Sequence, residues 1–188
     1  MSNPDQASAR QALHDKYESA QRTRLEGNEH FKAGETKKAL MSYHLVLTTL
    51  KGLDQVVNNA YPLPTRGPDE APDLDNKTDA NGEETMQWKI KNTIVLTYCN
   101  MAACHTKTPN WKRCLDCAQS ALKIDPDNRK ALYREAQAKI GFGELQAGKT
   151  QLLELQKQGP DAAVSSLLKQ LELDDKEREK KANKSMHG

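Results

Sequence analysis

Apolar residues recur along this chain at helical spacing, and the recurrence itself repeats. Ala102 and Ala136 stand 34 positions apart, as do Pro126 and Pro160. That period is the length of a stacked unit made of two antiparallel helices, A then B, neither of which can bury its apolar face alone. Such a pair needs small residues where the helices cross and larger apolar ones between them. Gly27, Ala102 and Ala136 fall at the A-helix crossing, and Ala39, Cys114 and Gly148 at the B-helix crossing. Tyr43 and Leu152 follow one turn later, Ala118 leaves the middle unit thinner, and Val46, Ala121 and Leu155 continue the same face. The pattern predicts an all-α fold of three helix-turn-helix repeats near residues 20–53, 95–128 and 129–162.

The joints carry their own signals. Asp125-Pro126-Asp127-Asn128 ends one helix and starts the next, and Gln158-Gly159-Pro160-Asp161 repeats that logic. Beyond it, Val164, Leu167, Leu168 and Leu171 recur at helical spacing, which predicts a capping helix over about 161–182 that closes the exposed end of the solenoid. Its last turns, past Asp174, alternate in charge and run into solvent. Between the first two repeats, about 54–83, Pro62, Pro64, Pro68 and Pro72 sit amid Asp, Asn and Gly, which predicts a long insertion loop with little regular structure. From Glu84 the spacing of Met86, Ile90, Ile94 and Met101 is again helical and longer than the repeat requires. The repeat domain is expected over 10–182, with flexible ends at 1–9 and 183–188.

Composition narrows the function. Charged residues make up 29% of the 188 residues and aromatics 5%, with a net charge of +2, so electrostatic function must come from local clustering rather than an overall field. Nucleic acid is not implied. No stretch approaches the ~20 apolar residues needed to cross a bilayer, and the polar N-terminus lacks a signal-peptide core; the expectation is a cytoplasmic chain, without a membrane, that works as a monomer. Cys99, Cys104, Cys114 and Cys117 all fall in one short segment. Reduced core cysteines are the main reading; Cys114-x-x-Cys117 as a redox pair, or as part of a zinc site with Cys104 and His105, is the alternative. His30, His44 and His105 sit at helical positions where packing is the default. No phosphate loop, nucleophile elbow or paired catalytic carboxylates is present, so no enzyme, cofactor or metal is expected.

One constellation stands out. On the A helices, which line the concave face, Arg24 and Asn28 are four apart and project side by side, as do Lys130 and Arg134. Asn100 lies on the middle A helix in register with Arg134. Packed helices are ~8–10 Å apart, so these groups span on the order of 20 Å of groove, room for a short extended peptide at ~3.3 Å per residue. Three cations and two amides, with no acid among them, suit two neighbouring carboxylates such as the terminus and side chain of a C-terminal Asp.

Arg24-Leu-Glu-Gly-Asn28-Glu-His-Phe31, Tyr98-Cys-Asn100-Met-Ala-Ala-Cys104 and Asp127-Asn-Arg-Lys130-Ala-Leu-Tyr-Arg134 resemble the carboxylate-clamp repeats of tetratricopeptide-repeat (TPR) co-chaperones. Tyr43-His-Leu-Val-Leu-Thr-Thr-Leu-Lys-Gly-Leu-Asp54 with its following insertion is similar to the tetratricopeptide repeat protein 9 family, and the layout resembles the TPR half of large immunophilins. The resemblance covers nearly the whole chain from about Ala20. It implies a right-handed superhelix that binds the acidic Met-Glu-Glu-Val-Asp-type tail of heat-shock protein 90, heat-shock protein 70 or both. It also implies roles: Arg24, Asn28 and Asn100 on the terminal carboxylate, Lys130 on the Asp side chain, and Arg134 on the peptide upstream. Arg24 stands where the family usually has Lys, and His187 where an aromatic usually follows the Met of the tail. About 19 residues precede the first repeat, too few for the isomerase domain of immunophilins. The alternative function is a scaffold that binds a non-chaperone client through its helical surfaces or loop.

Overall fold

The computed structural model describes residues 4–51, 53, 77–78 and 82–186. Among these lie seven helices: α1 (Pro4–Lys32), α2 (Thr36–Lys51), α3 (Met86–Lys107), α4 (Trp111–Leu122), α5 (Arg129–Gly141), α6 (Leu145–Lys157) and α7 (Ala162–Met186). They stack as the pairs α1/α2, α3/α4 and α5/α6, with α7 closing the end against α6. The A helices also touch one another, α1 on α3 and α3 on α5, so they make one continuous wall. This is the all-α TPR superhelix. Among the described residues there is no strand beyond an isolated bridge between Thr78 and Glu84, and no helix is long and apolar enough to cross a membrane.

Polar side chains at the helix starts explain the boundaries. The hydroxyl of Thr85 accepts from Trp88 N at 3.2 Å to begin α3, and the amide oxygens of Asn110 and Asn128 accept from Arg113 N and Ala131 N to begin α4 and α5. Asp161 accepts from Ala163 N and Val164 N at the start of α7. Each cap satisfies backbone donors that the helix cannot, worth about 1 kcal/mol. The tight turns between α1 and α2 and between α5 and α6 pass through Gly34 and Gly143 at φ 79° and 92°, a backbone region that L-residues rarely adopt.

Small residues set how closely the helices cross. Ala39, Ala102, Cys114 and Ala136 are wholly buried. A Cβ on Gly27 would lie 2.7 Å from the Tyr43 ring, and one on Gly148 would lie 2.5 Å from the Ile140 side chain and 2.9 Å from the Ala136 carbonyl. Tyr43, Val46, Leu152 and Leu155 fill the space beside these crossings, as their spacing predicts.

α1 is longer than the first repeat needs, and it takes in residues 4–9, which the sequence assigned to a flexible N-terminus. Leu13, Tyr17 and Ala20 recur at i, i+4 and i+7 and join the same core as Ile90 and Ile94 from the early turns of α3. Leu13 is wholly buried, and burial of such a side chain contributes ~1.5–3 kcal/mol. Gln21 Nε2 donates to the Thr93 hydroxyl at 3.3 Å beside Tyr17, tying the two long helices together on the groove side. At the other end α7 runs to Met186, and its residues Lys176–Lys181 are exposed. The expected insertion at about 54–83 falls almost wholly outside the described residues, as does His187.

The histidines differ from a pure packing role. His30 Nδ1 meets Glu35 Oε2 at 2.6 Å across the α1–α2 turn, and Lys38 reaches the other oxygen of Glu35 at 2.8 Å. His44 is exposed and His105 is half-buried. Short turns bring an acid to His30, a contact that helical periodicity does not register.

Candidate functional site

Arg24 and Asn28 project from one stripe of α1, about one turn apart, on the side of the helix that also carries Gln21. Asn28 sits at the centre of a hydrogen-bond network that joins three helices. Its Oδ1 accepts from the Tyr43 hydroxyl of α2 at 2.8 Å and from Asn100 Nδ2 of α3 at 2.8 Å. Both lone pairs are thereby used, which fixes the amide orientation and leaves the two N–H groups of Asn28 without a partner among the described residues. Burial pushes the Tyr43 hydroxyl up to about 12, aided by Cys104 and opposed by the charge of Arg24 and by a hydrogen bond from Asn100. At neutral pH it is therefore a fixed donor.

Arg24 is half-buried, and its Nε donates to Gln21 Oε1 at 3.0 Å. The same device recurs on α5, where Arg134 Nη1 donates to Gln137 Oε1 at 2.7 Å and the guanidinium lies 5.4 Å from the Tyr133 ring. Each arginine is held by an amide three residues away on its own helix, which orients the head without neutralising it. Lys130, one turn before Arg134, is exposed. Among the described residues no carboxylate forms an ion pair with Arg24, Lys130 or Arg134.

The two basic groups flank α3. Lys130 and Arg134 both act electrostatically on Cys99, the neighbour of Asn100, while Arg24 acts on Tyr43. Asn28 and Asn100 are in direct contact; Arg24 stands one turn from Asn28 on α1; Lys130 and Arg134 line the next helix along the same wall. The arrangement offers free amide N–H groups between two sets of cations, the chemistry that receives an anion with several oxygens.

Sequence reasoning missed Gln21, Gln137 and the hydroxyl role of Tyr43. The glutamines carry a readable signal, a polar amide at i−3 or i+3 from each arginine. Tyr43 carries none as a site residue, because its position reads as a core aromatic.

The cysteines lie behind this wall. All four are free and buried. Cys114 Sγ donates to the Arg134 carbonyl at 3.6 Å and Cys99 Sγ to Asn128 Oδ1 at 3.7 Å. Burial pushes all four thiols up to about 11. Neutral thiols of this kind are core donors and poor nucleophiles. Among the described residues no group of three or more His, Cys, Asp or Glu is arranged to hold a metal ion.

No profile of a known protein family matches the chain. Tetratricopeptide repeat protein 9C of Xenopus tropicalis is 29% identical over 111 residues, 58% of this chain and 56% of that protein. The Hsp70/Hsp90 co-chaperone CNS1 of Saccharomyces cerevisiae is 35% identical over 86 residues, 45% of this chain and 22% of the relative. The chain thus spans about half the length of the first relative and less of the second. Among solved structures, the C-terminal TPR-containing domain of a Plasmodium falciparum protein described as FK506-binding superposes with a TM-score of 0.62 at 24% identity, covering 89% of this chain and 95% of that one. Yeast Cns1 superposes with a TM-score of 0.62 at 21% identity, covering 92% and 44%. The TPR domain of Arabidopsis OM64 does so with a TM-score of 0.56 at 14% identity, covering 85% and 98%. At these identities the superpositions speak for the fold alone: the chain has the tetratricopeptide-repeat fold, and in sequence it is similar to repeat protein 9C and CNS1 over part of their length.

Proposed function

We propose that this chain is a non-enzymatic co-chaperone or adaptor, and that its A-helix wall binds the acidic C-terminal tail of heat-shock protein 90, heat-shock protein 70 or both. The observation that carries the reading is the Asn28–Asn100–Tyr43 network, which spends every acceptor of Asn28 and leaves amide donors beside three cations that no described acid neutralises. On this reading Arg24, Asn28 and Asn100 receive the terminal carboxylate, Lys130 the side chain of the last Asp, and Arg134 the peptide upstream. Arg24 in place of Lys keeps the charge but presents a planar fork, which suits a carboxylate held by two parallel N–H bonds. The chain acts as a monomer in the cytosol. CNS1 is named for both chaperones, which favours testing both tails.

The test is titration calorimetry with a Met-Glu-Glu-Val-Asp peptide as the free acid and as the C-terminal amide. The acid is expected to bind at least ten-fold tighter, and its binding to weaken with salt because screening acts on exposed charges. Equal affinity of acid and amide would sink the clamp reading.

A further inference from the structure

A second groove lies on the other side of α3. Helical geometry turns about 100° per residue, which sets Met101, His105 and Tyr98 roughly 100°, 140° and 160° around the helix from Asn100. They therefore face away from the candidate clamp. These residues, with facing side chains of α2 and α4, enclose a groove of about 310 Å³. Its floor is apolar: Leu47 and Met101 are buried, and the Tyr98 ring forms one wall. Its rim is basic. Lys51 Nζ of α2 sits 5.2 Å from the centre of the Tyr98 ring, and Arg113 of α4 lines the groove with His44 and His105. Asp116 is the sole acid lining the groove, and among the described residues neither Lys51 nor Arg113 forms an ion pair. Two permanent cations thus outnumber one carboxylate around an apolar floor. Beside His44 on α2, Met41 and Leu45 are 72% and 57% exposed, so the apolar surface continues past the rim.

We propose that this α2–α3–α4 groove is a second binding site, separate from the A-helix wall, for an acidic peptide that seats one apolar side chain on the floor and sets its carboxylates against Lys51 and Arg113. Charge complementarity selects the occupant. A purely apolar segment leaves both cations without partners, and a small inorganic anion leaves Leu47, Met101 and the exposed Met41 and Leu45 uncovered. The peptide needs no free C-terminus, because side-chain carboxylates suffice for two cations that come from different helices, Lys51 from α2 and Arg113 from α4.

The groove carries a titratable group. His105 is held below the ordinary histidine value first by burial and then by the charges of Arg113 and His44. The groups around it are His44 and Lys51 from α2, Arg113, Asp116 and Cys117 from α4, and Lys107 on its own helix. An acidic peptide supplies the negative charge that favours the protonated ring, so binding takes up a proton and tightens as pH falls.

The test uses the full chain and a labelled peptide, acetylated and C-terminally amidated, of sequence Glu-Leu-Glu-Glu-Leu-Glu. The amide denies the candidate clamp its terminal carboxylate. Binding is followed by fluorescence anisotropy, and the contact site by ¹H–¹⁵N chemical-shift changes. The expected result is shift changes at Leu47, Met101 and Arg113, at least a ten-fold weakening in Arg113→Glu and in Lys51→Glu, and unchanged affinity in Lys130→Ala. Between pH 7.5 and 5.5 the affinity should rise several-fold, less so in His105→Gln. Absence of binding, parent-like affinity in both charge-reversal variants, or loss of binding in Lys130→Ala would overturn the proposal. So would a dimer in light scattering that Arg113→Glu dissociates, since the groove would then pair with a second copy. The clamp titration is scored with a different peptide, so either site can fail alone.

Discussion

Replacing Gly27 by Ala tests whether the crossing of α1 and α2 positions the candidate site. The added Cβ would lie 2.7 Å and 2.9 Å from two carbons of the Tyr43 ring and 3.2 Å from Ser42 Cβ. Non-bonded carbons rest at about 3.5–4.0 Å, so the ring edge must retreat by about 1 Å. Tyr43 is 1% exposed and cannot swing into solvent. Such overpacking costs about 1–3 kcal/mol, against a gain of about 1 kcal/mol from the better helix propensity of Ala. A retreat of that size also stretches the 2.8 Å bond from the Tyr43 hydroxyl to Asn28 beyond hydrogen-bond range, a further loss of about 1 kcal/mol. The sum predicts destabilisation of about 1–3 kcal/mol by chemical denaturation, with peptide affinity several-fold weaker by calorimetry. Tyr43→Phe removes the hydroxyl alone and should cost about 1 kcal/mol. In a double-mutant cycle the pair should cost less than the sum, because the first change has already broken the bond. A Gly27→Ala protein as stable as the parent, with full peptide affinity, would refute the coupling.

Three further outcomes are expected. Lys130→Ala should weaken binding of the acidic tail about 10- to 100-fold, the worth of one charged hydrogen bond, while thermal unfolding stays put because Lys130 is exposed and ion-paired with no described residue; equal losses in stability and affinity would contradict this. Asn128→Ala removes the cap of α5 and the 2.9 Å tie to Asp125, and should cost about 1–2 kcal/mol in unfolding free energy; an unchanged midpoint would show that the cap is idle. Alkaline pH should destabilise the fold: the four thiols rise from near 9 to about 11, so above pH 9 the unfolded chain releases protons that the folded chain retains, and stability falls until about pH 11 at roughly 1.4 kcal/mol per pH unit for each thiol fully ionised only when unfolded. Circular dichroism against pH measures the loss, and replacing Cys104 by Ala should make it shallower.

The helix pairs were legible because they rest on one-dimensional signals. A 34-residue period, small residues at crossings and caps such as Asn128 and Asp161 act within a few residues of where they are written, so spacing reveals them. The upstream turns of α1 were less so: Leu13, Tyr17 and Ala20 have helical spacing, but what stabilises them is the early part of the 22-residue α3, more than seventy residues later in the chain. The period marks where a repeat begins, and an extension paired across a long insertion has no period to announce it.

For the site, position in the repeat selected Arg24, Asn28, Asn100, Lys130 and Arg134, yet it did not say what holds them. The orientation of Asn28 depends on two donors from two other helices, and one of them, Tyr43, is written into the sequence as a core residue. On the proposed function that double duty links packing to recognition: the ring fills the α1–α2 crossing while its hydroxyl fixes the orientation of the Asn28 amide. It follows that the donors of the wall cannot be assessed one at a time. Lys130 projects from an exposed turn and can change without disturbing its neighbours, whereas Asn28 and Asn100 share a hydrogen bond with each other and a buried tyrosine behind them. Substitutions at Lys130 should therefore report on charge alone, and substitutions at either asparagine should report on charge-independent geometry transmitted through the core.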